Sequence, residues 1–132
     1  FGICLGMQLL FKHGSDEKTD QIIEGLGFFE GKCKKFFQNK KTNKLPLPHV
    51  GFNEVIHKNT RIWNGINNPS YFYFIHSYRI YFSGNSYDCA KTIYGEEFIS
   101  FIEKSKVFGS QFHPEKSHLT GLNLLQNFCN LQ

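Results

Sequence analysis

With 132 residues, 40% of them hydrophobic and 17% aromatic, the chain carries enough apolar surface for one folded core, which excludes disorder as its main state. Its net charge of +4 comes from 15 basic and 11 acidic residues, with lysines in scattered pairs such as Lys34-Lys35 and Lys40-Lys41, too thin a pattern for a nucleic-acid partner. No apolar run nears the roughly 18 residues of a membrane helix and no charged-then-apolar leader is present, so neither a membrane nor a secretory protein is expected. Cys4, Cys33, Cys89 and Cys129 have no C-x-x-C spacing, and the Asn68-Pro69-Ser70 acceptor is spoiled by its proline. A cytoplasmic chain without metal or cofactor is therefore expected, with Cys33, Cys89 and Cys129 as small buried hydrophobes.

Leu5, Met7, Leu9, Leu10 and Phe11 form a wide apolar face, predicting a helix from Leu5 to Phe11 that stops at His13-Gly14. Ser15 to Asp20 reads as a loop or helix fringe. Gly25, Gly27 and Gly31 mark turns around Phe28-Phe29. Lys32 to Phe37 is a candidate strand, Gln38 to Lys44 a polar loop, and Val50 to Ile56 a strand entered from Leu45-Pro46-Leu47-Pro48. Tyr71 to Ile75 and Arg79 to Phe82 read as neighbouring strands, followed by Ala90 to Tyr94, Phe98 to Ile102 and Val107 to Phe112. Ser117 is placed to cap a last helix whose apolar positions are Leu122, Leu125, Phe128 and Cys129. Strands bracketed by two helices point to an α/β layer fold whose sheet begins upstream of Phe1.

Gly2-Ile3-Cys4-Leu5-Gly6 is G-x-C-x-G, the cysteine form of a strand-to-helix elbow. Gly2 and Gly6 are expected to leave room for the tight backbone. A thiol there sits at a strand end, where the helix dipole lowers its pKa and the Leu5 N–H points at a developing oxyanion. The same five residues also describe a buried cysteine in a glycine-rich turn. An activated thiol needs an oriented base. Among six histidines His113 stands out, because Gln111-Phe112-His113-Pro114-Glu115 sets a carboxylate two residues on, on the same face if Pro114 keeps the segment extended. A surface histidine beside a solvated glutamate fits that motif as well.

Together, Gly2-Ile3-Cys4-Leu5-Gly6-Met7-Gln8 and Gly109-Ser110-Gln111-Phe112-His113-Pro114-Glu115-Lys116-Ser117 resemble class I (triad) glutamine amidotransferases, which have a three-layer, flavodoxin-like α/β fold. Glu24-Gly25-Leu26-Gly27, Pro48-His49-Val50-Gly51-Phe52-Asn53 and Tyr73-Phe74-Ile75-His76-Ser77-Tyr78 look like one branch, the glutaminase subunit of imidazole glycerol phosphate synthase. The resemblance runs from Phe1 to about Phe128. It implies hydrolysis of glutamine to glutamate and ammonia, with Cys4 as nucleophile, His113 as proton shuttle, Glu115 orienting His113 and the backbone of Leu5 as an oxyanion donor. Gly6, Gln8 and the His76-Ser77-Tyr78 stretch match glutamine-binding positions, His76 shaping the pocket. Phe52, Asn53, Tyr73 and Lys116 match the interface with a heterodimer partner, the (β/α)8-barrel cyclase or synthase subunit that takes up the ammonia for histidine biosynthesis. Phe52 stands where the family commonly has Trp, and Lys116 reads equally as a solvated charge.

Two other functions are compatible with the sequence. A paralogous subunit would feed ammonia to a sugar-modifying synthase for surface polysaccharide. A non-catalytic partner-binding subunit would keep only the fold, although it would have no need of Cys4, His113 and Glu115 together. The resemblance also implies that residues 1–132 are the C-terminal two-thirds of one domain, lacking first strands and a Gly-rich loop that donates the second oxyanion N–H. Losing one such donor costs about 2.7–4 kcal/mol of transition-state stabilisation. Residues 1–132 alone are therefore expected to release little or no ammonia from glutamine even with the partner present, and turnover comparable to a full-length homologue would refute this.

Overall fold

A computed structural model describes residues 1–15, 21–36, 45–82 and 87–131. The elements are β1 (Gly2–Ile3), α1 (Leu5–Leu9), β2 (Phe11–Ser15), β3 (Ile22–Glu24), β4 (Phe29–Lys35), β5 (His49–Val55), β6 (Ser70–His76), β7 (Tyr78–Tyr81), β8 (Asp88–Tyr94), β9 (Glu96–Lys104), β10 (Val107–Ser110) and α2 (His118–Cys129), with 3₁₀ turns at Arg61–Trp63 and Pro114–Lys116. One mixed sheet runs in the order β1-β10-β9-β7-β4-β2-β3, with β8 also on β9, and β5 and β6 form a separate antiparallel pair. The β1–β10 and β2–β4 pairs are parallel.

Two apolar clusters hold these layers. Met7, Phe11, Phe29, Cys33, Ile80, Ile99 and Ile102 form one. The other joins the β5–β6 pair and α2 to the large sheet through Phe72, Phe74, Phe98, Phe101, Phe112 and Leu124. In β9, Ile99 opposes Lys91 and Phe101 opposes Ala90, so Ser100 is the extra residue of a bulge. The bulge puts Phe98 and Phe101 in one cluster and Ile99 and Ile102 in the other.

The first helix is shorter than its apolar pattern predicts. It ends at Leu9, and His13-Gly14 lie inside β2 rather than at a helix stop. A helix this short has little stability of its own, and the chain gains more by pairing: Phe29 and Leu26 donate backbone bonds to the carbonyls of Leu10 and Leu9, and Phe11 packs on Phe29 in the core. The glycine-marked turn region also holds strand β3, and β4 starts at Phe29, before the expected Lys32. Phe37, the Gln38 to Lys44 loop and residues 16–20 lie outside the described residues.

Tyr71 to Ile75 and Arg79 to Phe82 are not paired neighbours. The first belongs to β6 of the small sheet and the second largely to β7 of the large one, with Ser77 between them. The continuous apolar run of β6 is met by different layers on its two faces, which periodicity alone does not reveal. On α2 the inward positions are Gly121 and Leu124, with Phe128 partly buried, while Leu122 and Cys129 face outward. Cys33 is buried, Cys89 is partly so, and all four cysteines are free thiols. No helix among the described residues is long and apolar enough to cross a membrane.

Gly121 seats α2 against the Pro114–Lys116 turn, since a Cβ there would collide with the Pro114 carbonyl, a backbone atom that cannot step aside. Gly121→Ala is expected to lower the stability of the protein by about 3 kcal/mol. Urea unfolding checks this, and an unchanged midpoint would show that the turn moves freely.

Candidate active site

The elbow begins with parallel pairing of Gly2 to Gly109 and Ile3 to Ser110. The Cys4 N–H extends the ladder by donating to the Ser110 carbonyl at 2.7 Å. Cys4 itself has φ 52° and ψ −105°, a left-handed conformation unusual for a residue with a side chain. Such strain is kept where neighbours over-determine it, and it turns the thiol out of the strand as α1 starts. A Cβ on Gly2 would lie 2.6 Å from the Gly6 backbone, as the sequence predicted. The same expectation fails for Gly6, where a Cβ meets only open space.

The thiol donates weakly to the Ile75 carbonyl at 3.8 Å and accepts from Gln111 Nε2 at 3.6 Å. Burial pushes the Cys4 pKa up and outweighs the Leu5 N–H and the Gln111 amide, which both lower it; Glu115 adds to the rise and Lys116 opposes it. The net lowering expected from the helix end is thus not realised. Desolvation of the thiolate exceeds what one turn of helix returns.

His113 is reached by a different local structure from the one the motif implies. The residue is extended, at φ −102° and ψ 95°, but Pro114–Lys116 is a 3₁₀ turn with proline at its start, and the Lys116 N–H closes on the His113 carbonyl at 3.0 Å. This turn, not an extended segment, brings Glu115 Oε1 within 2.6 Å of His113 Nδ1. The carboxylate accepts a proton from Nδ1, which leaves Nε2 as the ring nitrogen not engaged by Glu115. His113 Nε2 is buried and has no hydrogen-bond partner among the described residues.

The free edge of β6 holds both groups. The His113 N–H donates to the Tyr73 carbonyl at 2.8 Å, and the Cys4 thiol meets the Ile75 carbonyl two residues on, on the same edge. Ser117 locks this contact, its hydroxyl donating to the His113 carbonyl at 2.6 Å and accepting from the Tyr73 N–H at 2.9 Å. It stands at the N-cap position of α2, yet the hydroxyl makes no cap bond to the helix because these two bonds occupy it.

Gln111 joins the candidate site through its contact with the Cys4 thiol, and the sequence motifs did not single it out. It is fully buried, its N–H held by the Ser100 carbonyl of the β9 bulge at 2.8 Å. Its position two residues before His113 in a strand-like stretch was the available signal, since i and i+2 share a face. Gln8 Nε2 donates to Gln111 Oε1 at 3.0 Å and to the Tyr78 carbonyl at 3.4 Å. The Ser77 carbonyl accepts from Phe36, and the Tyr78 carbonyl also faces His76 Nδ1 at 2.7 Å. His76 Nε2 meets His49 Nδ1 at 3.1 Å. Burial lowers the pKa of both His49 and His76 to about 4, so both rings are neutral; for His76, the neighbouring His49 and His113 add to the fall and the Tyr78 bond opposes it.

The four candidate interface residues separate. Phe52, half exposed, packs edge-on against Tyr73 and flat on His118, and the Lys116 ammonium lies 5.9 Å from the Tyr73 ring centroid, so these form one outward group. Asn53 is not part of it. Strand alternation turns its amide to the other side of β5, where Nδ2 donates to the Ile93 carbonyl at 2.9 Å and to His49 Nε2 at 3.3 Å.

An elbow thiol, a histidine held by a glutamate and a mixed sheet with few helices make up a cysteine-histidine-glutamate triad architecture. Residues 1–131 match the model of glutamine amidotransferase class-I, and the chain belongs to that family. It is 48% identical over 133 residues to the imidazole glycerol phosphate synthase subunit HisH of Methanocaldococcus jannaschii, covering 98% of this chain and 62% of that protein. It is 44% identical over 131 residues to imidazole glycerol phosphate synthase subunit HisH 1 of Campylobacter jejuni, with the same coverage. The chain thus spans about 62% of the length of these curated relatives. The crystal structure of a GMP synthase-type protein from Thermoplasma acidophilum shares the fold, with a TM-score of 0.67 at 18% identity over 98% of this chain and 54% of that one.

Gln111 lowers the Cys4 pKa through its amide N–H. Gln111→Met is therefore expected to move the pH midpoint of Cys4 alkylation by iodoacetamide upward by about one unit, the size of one lost hydrogen bond to a charged group. An unmoved midpoint would mean that the amide does not support the thiolate.

Proposed function

We propose that this chain carries the glutamine-hydrolysing centre of an imidazole glycerol phosphate synthase and supplies ammonia for histidine biosynthesis. The observation that carries the reading is the aligned set on the β6 edge: a strained Cys4 thiol, and His113 with Nδ1 bound by Glu115 and a buried, unpartnered Nε2. The 48% and 44% identical relatives, both named as subunits of that synthase, support the choice of acceptor pathway.

In this mechanism the thiol passes its proton to His113 Nε2, and sulfur adds to the side-chain amide carbon of glutamine. The oxyanion that forms is met by the Leu5 N–H, one of the donors such a site requires. The imidazolium, steadied by the Glu115 carboxylate, returns the proton to the departing nitrogen, so ammonia leaves and a glutamyl thioester remains. Water then gives its proton to His113 as it attacks the thioester, releasing glutamate and restoring the thiol. Burial of Cys4 keeps the thiol protonated until His113 takes the proton.

Ammonia passes to a (β/α)8-barrel cyclase subunit, which docks as a heterodimer partner over the Phe52, Tyr73 and Lys116 group. The aromatic pair supplies flat apolar area and the lysine a charge for a partner carboxylate. The free thiol at Cys4 suits the reducing cytoplasm. Residues 1–132 form the C-terminal two-thirds of the glutaminase domain in this reading.

The test is glutamate and ammonia release by the full-length protein with its cyclase partner. Glu115→Gln is expected to reduce kcat by at least about 100-fold, since an amide neither fixes the same tautomer nor stabilises the imidazolium. Cys4→Ser is expected to abolish turnover. Full activity in Cys4→Ser would sink the reading.

A further inference from the structure

The hydrogen bonds around His49 and His76 run in one direction from Asn53 to the Tyr78 carbonyl, where they meet a second set that leads to the Cys4 thiol. The Asn53 amide is oriented unambiguously, its Oδ1 accepting from the Glu54 N–H at 2.7 Å and its Nδ2 donating to the Ile93 carbonyl. At the other end the Tyr78 carbonyl only accepts, so the 2.7 Å contact places a proton on His76 Nδ1. A neutral His76 then presents a bare Nε2, which requires His49 to donate from Nδ1 and leaves His49 Nε2 to accept from Asn53. Each ring N–H has one acceptor and both tautomers are determined. Protonating His76 would set two N–H groups against each other across 3.1 Å, and protonating His49 would set its Nε2–H against the Asn53 amide across 3.3 Å.

From the Tyr78 carbonyl the chain continues, because the same oxygen accepts from Gln8, Gln8 donates to Gln111, and Gln111 donates to Cys4 Sγ. His49 is clamped between Tyr94 and Phe74, with ring centroids 3.9 and 4.8 Å away and both planes within 20° of its own. His76 is boxed by Phe36, Phe74 and Phe98. Two rings held this tightly cannot exchange partners without disturbing the aromatic core. Their order is therefore passed on to the Tyr78 carbonyl.

Resting on the glutaminase reading above, we propose that His49 and His76 are positioning residues: a neutral two-histidine relay that fixes the Tyr78 carbonyl and, through Gln8 and Gln111, aims the amide N–H that holds the Cys4 thiolate. The relay begins at Asn53, on the strand that carries Phe52 outward, so it joins the partner-facing strand to the nucleophile through six hydrogen bonds. The other titratable groups facing it are Glu115 and Lys116 around Cys4, His113 beside His76 and Tyr94 stacked on His49.

The experiment uses the full-length protein bound to its cyclase partner. His49→Phe keeps a ring between Phe74 and Tyr94 but removes the Nδ1 donor. Iodoacetamide alkylation of Cys4 is expected to slow about tenfold at neutral pH, with its pH midpoint about one unit higher. The kcat for glutamine hydrolysis should fall by a similar factor, with KM changed less than about threefold. His49→Asn, whose amide N–H falls near the Nδ1 position, should recover most of the rate, which a purely packing role for the ring would not allow. If His49→Phe does not fold, Asn53→Leu breaks the relay one link further out and should shift the alkylation profile the same way. A folded His49→Phe, or failing that Asn53→Leu, with the wild-type alkylation profile overturns the relay, as does a His49→Asn no better than His49→Phe. Failure of a glutamine-analogue electrophile to label Cys4 in the wild-type protein would instead overturn the glutaminase reading, which the iodoacetamide profile does not depend on.

Discussion

The parallel pairing of β1 with β10 is the contact on which the rest of the site depends. Two residues at one end of the chain, Gly2 and Ile3, lie beside Gly109 and Ser110, and the Cys4 N–H completes the ladder on Ser110. The pairing sets the Cys4 thiol beside Gln111. It also forces the backbone at Cys4 into its left-handed turn, because the strand must end where α1 begins. Long-range parallel pairing is slow and entropically expensive to form. Here it is backed on one side by Met7 and Ile102 and on the other by Phe101, Phe108 and Phe112.

The β5–β6 pair serves the site in a second way. One edge of β6 is satisfied by β5, and the other offers the Tyr73 and Ile75 carbonyls to the catalytic segment. A short strand pair is marginal alone, but Phe72 and Phe74 anchor this one under Trp63, Phe98 and Phe112. The outer face of the pair then carries Phe52 and Tyr73, while its inner face carries the histidines. The alternation of one strand pair thus separates the outward aromatic group from the buried histidines by the thickness of a backbone.

Much of this was legible in the residues. Most strands of the middle region fall within one or two positions of their expected bounds, because their β-branched and aromatic runs are met by turns on both sides. The elbow motif and the His-Pro-Glu motif, far apart in the chain, are brought to one edge of β6. What misled was local pattern without a partner: the apolar Leu5 to Phe11 stretch reads as one helix, yet Phe11 belongs to a strand because Phe29 awaits it. The pairing of Tyr71–Ile75 with Arg79–Phe82 failed for the same reason, since a sharp break at Ser77 sends the chain from one sheet into another.

By itself the sequence determined which groups are candidates for the chemistry, because a glycine-flanked cysteine, a histidine two residues from a glutamate and strand-length apolar runs are encoded within a few neighbours. Only the tertiary structure decided how those groups are used. Desolvation raises the Cys4 pKa that the helix end was expected to lower, a 3₁₀ turn and not an extended segment brings Glu115 to His113, and Gln111 joins the site because a bulge at Ser100 holds it there. Burial, register and the direction of a hydrogen bond are properties of pairs of residues far apart in the chain. Apart from the local turn at Pro114, no short window along the sequence contains both members.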